Sequence, residues 1–195
     1  PNSSIQSSML NQENRNGNTF NGNAFVDITF LKDFKFTFNV GTTVNEIRYY
    51  TTTNPYYGFG AEQNGTVTMY HYRTTTLNLQ QILNYSHNFG KHNISVMLGH
   101  ESYKYNYAEL SASKKNMFSY WGNHELNGAV IDGSSAASYS NDYNTEGYFF
   151  RALYDYDAKY YFSASYRRDA SPRFHPDHWW GNFYSVGGAY LMSKE

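Results

Sequence analysis

Apolar and polar residues alternate with a period of two, in paired runs, along most of this 195-residue chain, and that pattern restricts its fold more than any other feature. Over 24–30, Ala24, Val26, Ile28 and Phe30 alternate with Phe25, Asp27 and Thr29. After a tight turn at Lys32-Asp33, Phe34, Phe36, Phe38, Val40 and Val44 share one face, with Lys35, Thr37, Asn39, Thr43 and Asn45 on the other. Leu77, Leu79, Leu83 and Tyr85 alternate with Asn78, Gln80, Asn84 and Ser86, and a turn at Phe89-Gly90-Lys91 leads to Ile94, Val96 and Leu98. Phe150, Ala152, Tyr154 and Tyr156 oppose Arg151 and Asp155. Beyond the Asp157-Ala158 turn, Phe162, Ala164 and Tyr166 oppose Ser163, Ser165 and Arg167, and a last strand covers 182–192. The pattern predicts an all-β chain of about seven strands, with helical periodicity hard to find.

The connections alternate in length. Short turns fall near 32, 90 and 157, and long polar connections occupy 53–65, 111–142 and 170–181. Compact soluble meanders use mostly short loops. Short turns on one side and long loops on the other are the habit of outer-membrane barrels. Composition fits the same reading. The chain carries 21 Tyr and 14 Phe, and its charged fraction is 16%, below the roughly 25% of ordinary globular domains. Lipid-facing strands need apolar side chains outward, with Tyr and Trp at the headgroup level. The negative mean hydropathy then reflects the inward face and the loops. Seven strands leave two bare edges, each costly in lipid, so the segment is expected to belong to a larger barrel. The start at Pro1 without Met and the end at "LMSKE" are read as cuts within a longer polypeptide.

Two positions disturb the alternation. Gln81 interrupts an apolar face, and after Leu98 the aromatics change parity to Tyr103, Tyr105 and Tyr107, which leaves His100 and Lys104 toward lipid. A bulge near Gly99 would restore the register; alternatively the strand has left the membrane by that point.

Other chemistries find little support. A net charge of −1 without a basic stripe speaks against nucleic acid as a partner. Without cysteine there is no disulfide framework and no thiolate chemistry. His175 and His178 bracket Pro176-Asp177, but no third ligand is evident and no metal or other cofactor is expected. "GFG" at 58–60 is too short to cradle phosphate, and no serine sits in a nucleophile elbow, so no catalytic residue is assigned and an enzyme is not expected. The aromatic loop residues Tyr56, Tyr57, Phe59, Trp121 and Trp179 are candidate substrate contacts, since ring faces suit sugar C–H surfaces. An aromatic girdle or loop-packing role is the plainer alternative.

The stretch from Gly147 to Glu195 resembles the barrel of SusC/RagA-type TonB-dependent outer-membrane transporters. The family pattern G-Y-x-x-R-x-x-Y-x-Y-x-x-K-Y is met by Gly147, Tyr148, Arg151, Tyr154, Tyr156, Lys159 and Tyr160. The following S-x-R-x-D-x-S-x-R-F and W-G-x-F-x-S are met by Ser165, Arg167, Asp169, Ser171, Arg173, Phe174, Trp180, Gly181, Phe183 and Ser185. Pro172, Tyr184 and Tyr190 depart from it. Residues 20–110 agree only in style, and 1–20 and 111–140 match nothing recognised. The resemblance implies a roughly 22-stranded barrel in the bacterial outer membrane, of which all of 1–195 is part. It also implies active import of a large nutrient, glycan or peptide, with outer-membrane lipid, the rest of the barrel chain and its plug, a SusD-like surface lipoprotein and the TonB complex as partners. No plug sequence is present. Within the motif, Arg151, Arg167, Asp169, Arg173, Phe174, Trp180 and Gly181 are expected to be structural. Arg167 and Asp169 are expected on the inward face, paired with neighbouring strands, and Arg173-Phe174 and Trp179-Trp180 in the external loop or at its foot. A passive porin or other non-transport barrel is the main alternative, and a soluble carbohydrate-binding β-sandwich a more distant one.

Overall fold

The computed structural model describes residues 5, 9–173 and 177–192, and of 131–134 the backbone only. It contains one antiparallel meander of seven strands in sequence order: β1 (Gln12–Phe30), β2 (Phe34–Thr53), β3 (Thr66–Phe89), β4 (His92–Met117), β5 (Ala129–Tyr156), β6 (Tyr160–Ala170) and β7 (Trp180–Tyr190). A single helical turn, α1 (Phe59–Glu62), interrupts the β2–β3 connection. No described helix is long and apolar enough to cross a membrane, which says nothing about strands.

The short turns fold as the alternation requires. Leu31 and Lys32 (φ 50° and 63°) and Asp157 and Ala158 (φ 52° and 49°) put two successive residues in the left-handed region. Paired left-handed residues give a turn whose twist matches the flanking strands, here within the loops 31–33 and 157–159. The first turn is therefore centred on Leu31-Lys32, one residue earlier than the sequence pattern suggests. Gly90 (φ 62°) serves the third short turn. Of the long connections, 54–65 and 171–179 fall close to their expected places, and one is much shorter than expected. β4 runs to Met117 and β5 starts at Ala129, so most of the 111–142 stretch is strand, and β1 begins at Gln12, well before Ala24. A strand crosses a bilayer in about 9–11 residues. β6 and β7 have 11 each, but β2 to β5 have 20 to 28, so these pass well beyond the apolar layer. Outside it both faces are polar, the two-residue pattern fades, and only ladder hydrogen bonds mark the strand.

The chain divides into two compact units. One comprises 1–20, 44–75 and 106–141; the other comprises 21–43, 76–105 and 142–195. The first contains the connections 54–65 and 118–128 and a small apolar cluster, in which Val67, Met117, Tyr120 and Ala129 are buried and Leu126 packs alongside. Asn54 organises the first loop. Its Oδ1 accepts from the backbone N–H groups of Tyr56 and Tyr57 at 2.9 and 2.8 Å, and its Nδ2 donates to Asn11 Oδ1 at 2.8 Å.

The second unit holds the three short turns and has two unlike faces. The register pairs Phe150 with Tyr166, Ala152 with Ala164 and Tyr154 with Phe162, and continues to Tyr184, Val186 and Gly188 on β7. Phe34 stacks near Tyr85 on this face (4.8 Å), and its side chains are open: Leu98 is 50% exposed, Phe162 58% and Val186 87%. An apolar sheet face this extensive and uncovered belongs against lipid. The opposite face pairs Phe149 with Arg167, Arg151 with Ser165 and Leu153 with Ser163.

The disturbed alternation on β4 has no bulge behind it. Asn93 donates to Asp155 (2.9 Å), His100 packs on Tyr148 (4.8 Å) and Tyr105 stacks on Tyr143 (4.7 Å). Seven residues up β4 match seven down β5 (93 to 100, 155 to 148), and five then match five (100 to 105, 148 to 143), so one register holds throughout. Tyr103 and Tyr105 therefore share the wet face with Gly99 and Glu101, and of the two readings left open by the sequence the bulge near Gly99 is absent. His100 stays on the apolar face, where its Nδ1 bonds Gln81 Oε1 at 2.7 Å. The two residues that break the apolar pattern satisfy each other, which removes most of the cost of placing either there.

Outer-membrane barrels keep short turns in the periplasm and long loops outside. Single cysteines placed at Ser135 and Asp157 of the full protein test this. A membrane-impermeant maleimide applied to intact cells is expected to label Ser135→Cys and spare Asp157→Cys. Labelling of Asp157→Cys alone would reverse the topology.

Candidate functional site

On the wet face of the second unit, one polar chain links β2, β3, β4 and β6, and a separate pair joins β1 to β2. Thr37 donates to Asp27 at 2.7 Å, and Asn39 Nδ2 donates to Gln80 Oε1 at 3.0 Å. Gln80 Nε2 donates to Glu101 Oε2 at 3.3 Å, and Glu101 Oε1 accepts from Arg167 Nη2 at 2.8 Å. Arg167 Nε in turn donates to Asp169 Oδ2 at 2.8 Å. Arg167 and Asp169 thus share the wet face, and they pair first with each other. The neighbour engaged by Arg167 is Glu101 on β4, reached across the whole width of β5. Two glycines make that reach possible. A Cβ at Gly147 would lie 2.5 Å from Asp169 Oδ1 and 3.2 Å from Arg167 Nη2, so the ion pair rests on bare backbone. A Cβ at Gly99 would lie 2.1 Å from the Phe149 ring, which occupies that space while Arg167 sits over the ring at 5.5 Å. The guanidinium is 42% exposed, so each ion pair is worth about 0–1 kcal/mol, and the cluster's main effect is to fix geometry.

Of the remaining motif residues, Arg151 is exposed and lies opposite Ser165, whose hydroxyl bonds Ser185 at 2.6 Å. Trp180 opens β7 on the apolar face, where Arg168 lies over its ring at 4.7 Å and Tyr148 is 6.1 Å away. Aromatic and cationic side chains meet in this way where a barrel wall crosses the headgroups. Gly181 sits opposite Asp169 on the wet face. Arg173 caps the Tyr143 ring at 5.2 Å. Phe174, and with it His175 and Pro176, lies outside the described residues.

The five candidate aromatics fall into two places. In the first unit, Tyr56, Tyr57, Phe59 and Trp121 are exposed on the two long connections, with Phe59 the most open at 86%. Tyr120 joins those loops, edge-on to Tyr56 at 6.3 Å and to Trp121 at 5.4 Å. The 118–128 loop folds against the outer face of its own unit: His124 stacks on Tyr50 at 4.6 Å, and Thr52 and Val67 are buried. Trp179 belongs to the second unit, where it borders a cleft of about 360 Å³ with Asp142, Tyr143, Glu146 and Ser171. No group of three or more possible metal ligands occurs among the described residues.

A further set of aromatics is not singled out by the sequence pattern. β1 and β2 keep one register from Thr19–Asn45 (3.1 Å) to Arg15 over Tyr49 (5.0 Å). Tyr49 stacks on Tyr70 of β3 at 4.5 Å, and Tyr72 lies 6.0 Å from Tyr107 of β4. These rings share the face of Asn45, while Glu46 and His71, 2.7 Å apart, occupy the other face. Parity counted onward from Asn39 places Tyr49 on the wet face; read by composition alone it passes for part of an aromatic loop.

No protein-family model matches the chain. Curated relatives do. The chain is 28% identical over 190 residues to the TonB-dependent receptor P3 of Formosa agariphila, covering 94% of this chain and 18% of that protein. It is 25% identical over 194 residues to the TonB-dependent receptor SusC of Bacteroides thetaiotaomicron, covering 95% and 18% respectively. The chain therefore spans about a fifth of the length of these relatives. Among solved structures, the RagAB peptide transporter superposes with a TM-score of 0.85 at 24% identity, over 94% of this chain and 21% of that one. That likeness shows a shared fold.

Proposed function

We propose that this chain is a segment of the barrel wall of a SusC/RagA-type TonB-dependent receptor of the bacterial outer membrane and forms part of an energy-coupled importer. Its cargo is a large nutrient, an oligosaccharide or a peptide. The observation that carries the reading is the near-complete alignment of the segment to the TonB-dependent receptors P3 and SusC, with 94–95% of its length covered. The segment supplies wall and external loops, and no chemistry on the cargo. A plug in the same polypeptide, the TonB complex and a SusD-like lipoprotein are the partners this role requires. The loop residues Tyr56, Tyr57, Phe59 and Trp121, and separately Trp179, are proposed cargo contacts. Arg151, Arg167, Asp169, Arg173, Trp180 and Gly181 are proposed to stiffen the wall and the foot of the loop.

The test is uptake by cells that carry or lack the full-length gene, with oligosaccharide and peptide pools supplied separately. Uptake that depends on the gene and stops when a protonophore collapses the proton-motive force is expected. Gene-dependent uptake that survives the protonophore would identify a passive pore.

A further inference from the structure

We propose that Arg48 and Arg73, on neighbouring strands of the outer face of the first unit, form a seat for the phosphate of an outer-leaflet lipid headgroup. This rests on the chain's place in a barrel wall and is independent of the cargo. Register places the two residues. Between the contacts Asn39–Gln80 (3.0 Å) and Tyr49–Tyr70 (4.5 Å), ten residues up β2 match ten down β3 (39 to 49, 80 to 70). Arg48 therefore lies opposite His71, and Glu46 opposite Arg73. The arginines are diagonal neighbours, about 7–8 Å apart at the backbone, so their long side chains can converge on one phosphate. Their depth follows from the rows beside them. The outward row of β2 is uncharged from Phe34 to Val44, and that of β3 from Tyr85 to Thr75, eleven residues in each case. A strand crosses the apolar layer in about 9–11 residues. Glu46, Arg48 and Arg73 are thus the first outward charges beyond that layer, at the end of the strands away from the short turns.

Charge and exposure select the ligand. Both arginines are exposed, and neither forms an ion pair among the described residues. Glu46 is the one carboxylate on the outward rows of β1 to β4 in this unit, and His71 Nε2 engages it at 2.7 Å. Against it stand Arg48, Arg73 and Lys114, so this face carries an excess of positive charge. The guanidinium is a planar fork of donors that matches phosphate oxygens, and its apolar stem can lie along a lipid-facing wall. Apolar side chains flank the pair. Phe20 of β1, opposite Val44, is 63% exposed. Leu110 of β4, placed opposite His71 by the shared register of Thr68–Ser113 and Gln80–Glu101, is 58% exposed. Paired cations at headgroup level beside open apolar residues fit a ligand that joins phosphate to acyl chains.

The experiment uses the purified full-length receptor in detergent micelles. The probes are diphosphoryl lipid A, the same lipid A stripped of phosphate by a phosphatase, and inorganic phosphate, with binding read by native mass spectrometry and by competition against fluorescent lipid A. Lipid A is expected to bind, and the double variant Arg48→Gln/Arg73→Gln to weaken it by about 10- to 30-fold, with an unchanged thermal midpoint because both positions are exposed. Arg48→Lys/Arg73→Lys, which keeps the charge without the fork, should lose less. Unchanged affinity in the Gln variant, or equal binding of the phosphate-free lipid, would overturn the site while leaving the importer reading intact. Inorganic phosphate competing as well as lipid A, mole for mole, would overturn the lipid as its source. Lipid A binding that responds to the Gln variant, with uptake indifferent to a protonophore, would uphold the site and overturn the importer.

Discussion

Phe38→Arg is expected to destabilise the barrel by about 2–4 kcal/mol where Phe38 lies near mid-bilayer, and by less toward an interface. Asn39→Arg is expected to cost much less. Phe38 extends the row of Phe34 and Phe36 on the apolar face, where a guanidinium would lose its hydration against lipid tails. Asn39 points the other way and donates to Gln80. Its replacement breaks one hydrogen bond, a loss of about 0.5–1.5 kcal/mol, in surroundings that already hold Glu101, Arg167 and Asp169 in contact with water. Two adjacent residues of one strand should thus differ severalfold in their response to the same substitution. Urea midpoints of the two full-length variants, refolded into bilayers, provide the measurement. A larger loss for Asn39→Arg would invert the faces of β2, because a one-residue slip exchanges the two sets of side chains.

The parts of this architecture that the sequence exposes are those in which a residue's role depends on its immediate neighbours. Alternation from Phe34 to Val40 and from Phe150 to Tyr156 locates strands and faces, because period two is imposed on every residue that has lipid on one side and water on the other. The turns at Leu31-Lys32, Gly90 and Asp157-Ala158 are legible to within a residue for the same local reason. Strand length beyond the membrane is not legible. From Ser111 to Asn116 both faces carry mainly polar residues, nothing enforces alternation, and a polar strand reads as a loop. Parity near Gly99 is misleading because aromatic residues do not always mark the lipid face. Tyr103 and Tyr105 are aromatic and inward, and His100 is polar and outward beside Gln81. The wet-face network is only half legible. Spacing places Arg167 and Asp169 on one face, but the contact with Glu101 depends on the registers of three strands and on the missing side chain of Gly147. Tyr49 and Tyr70 meet only through β2–β3 pairing, which no short window of sequence contains.

Both ends of the sheet are open, since β1 and β7 each pair with a single neighbour. Among the described residues the buried apolar cluster amounts to Val67, Met117, Tyr120 and Ala129, a core far too small to offset the conformational entropy of a chain this long. The stability of the segment must come from the remainder of the barrel and from lipid. Residues 1–195 expressed alone, without detergent, are therefore expected to aggregate and to show no cooperative thermal transition when followed by sedimentation and circular dichroism. A soluble monomer of this segment that melts cooperatively in plain buffer would contradict its assignment to the wall of a larger membrane barrel.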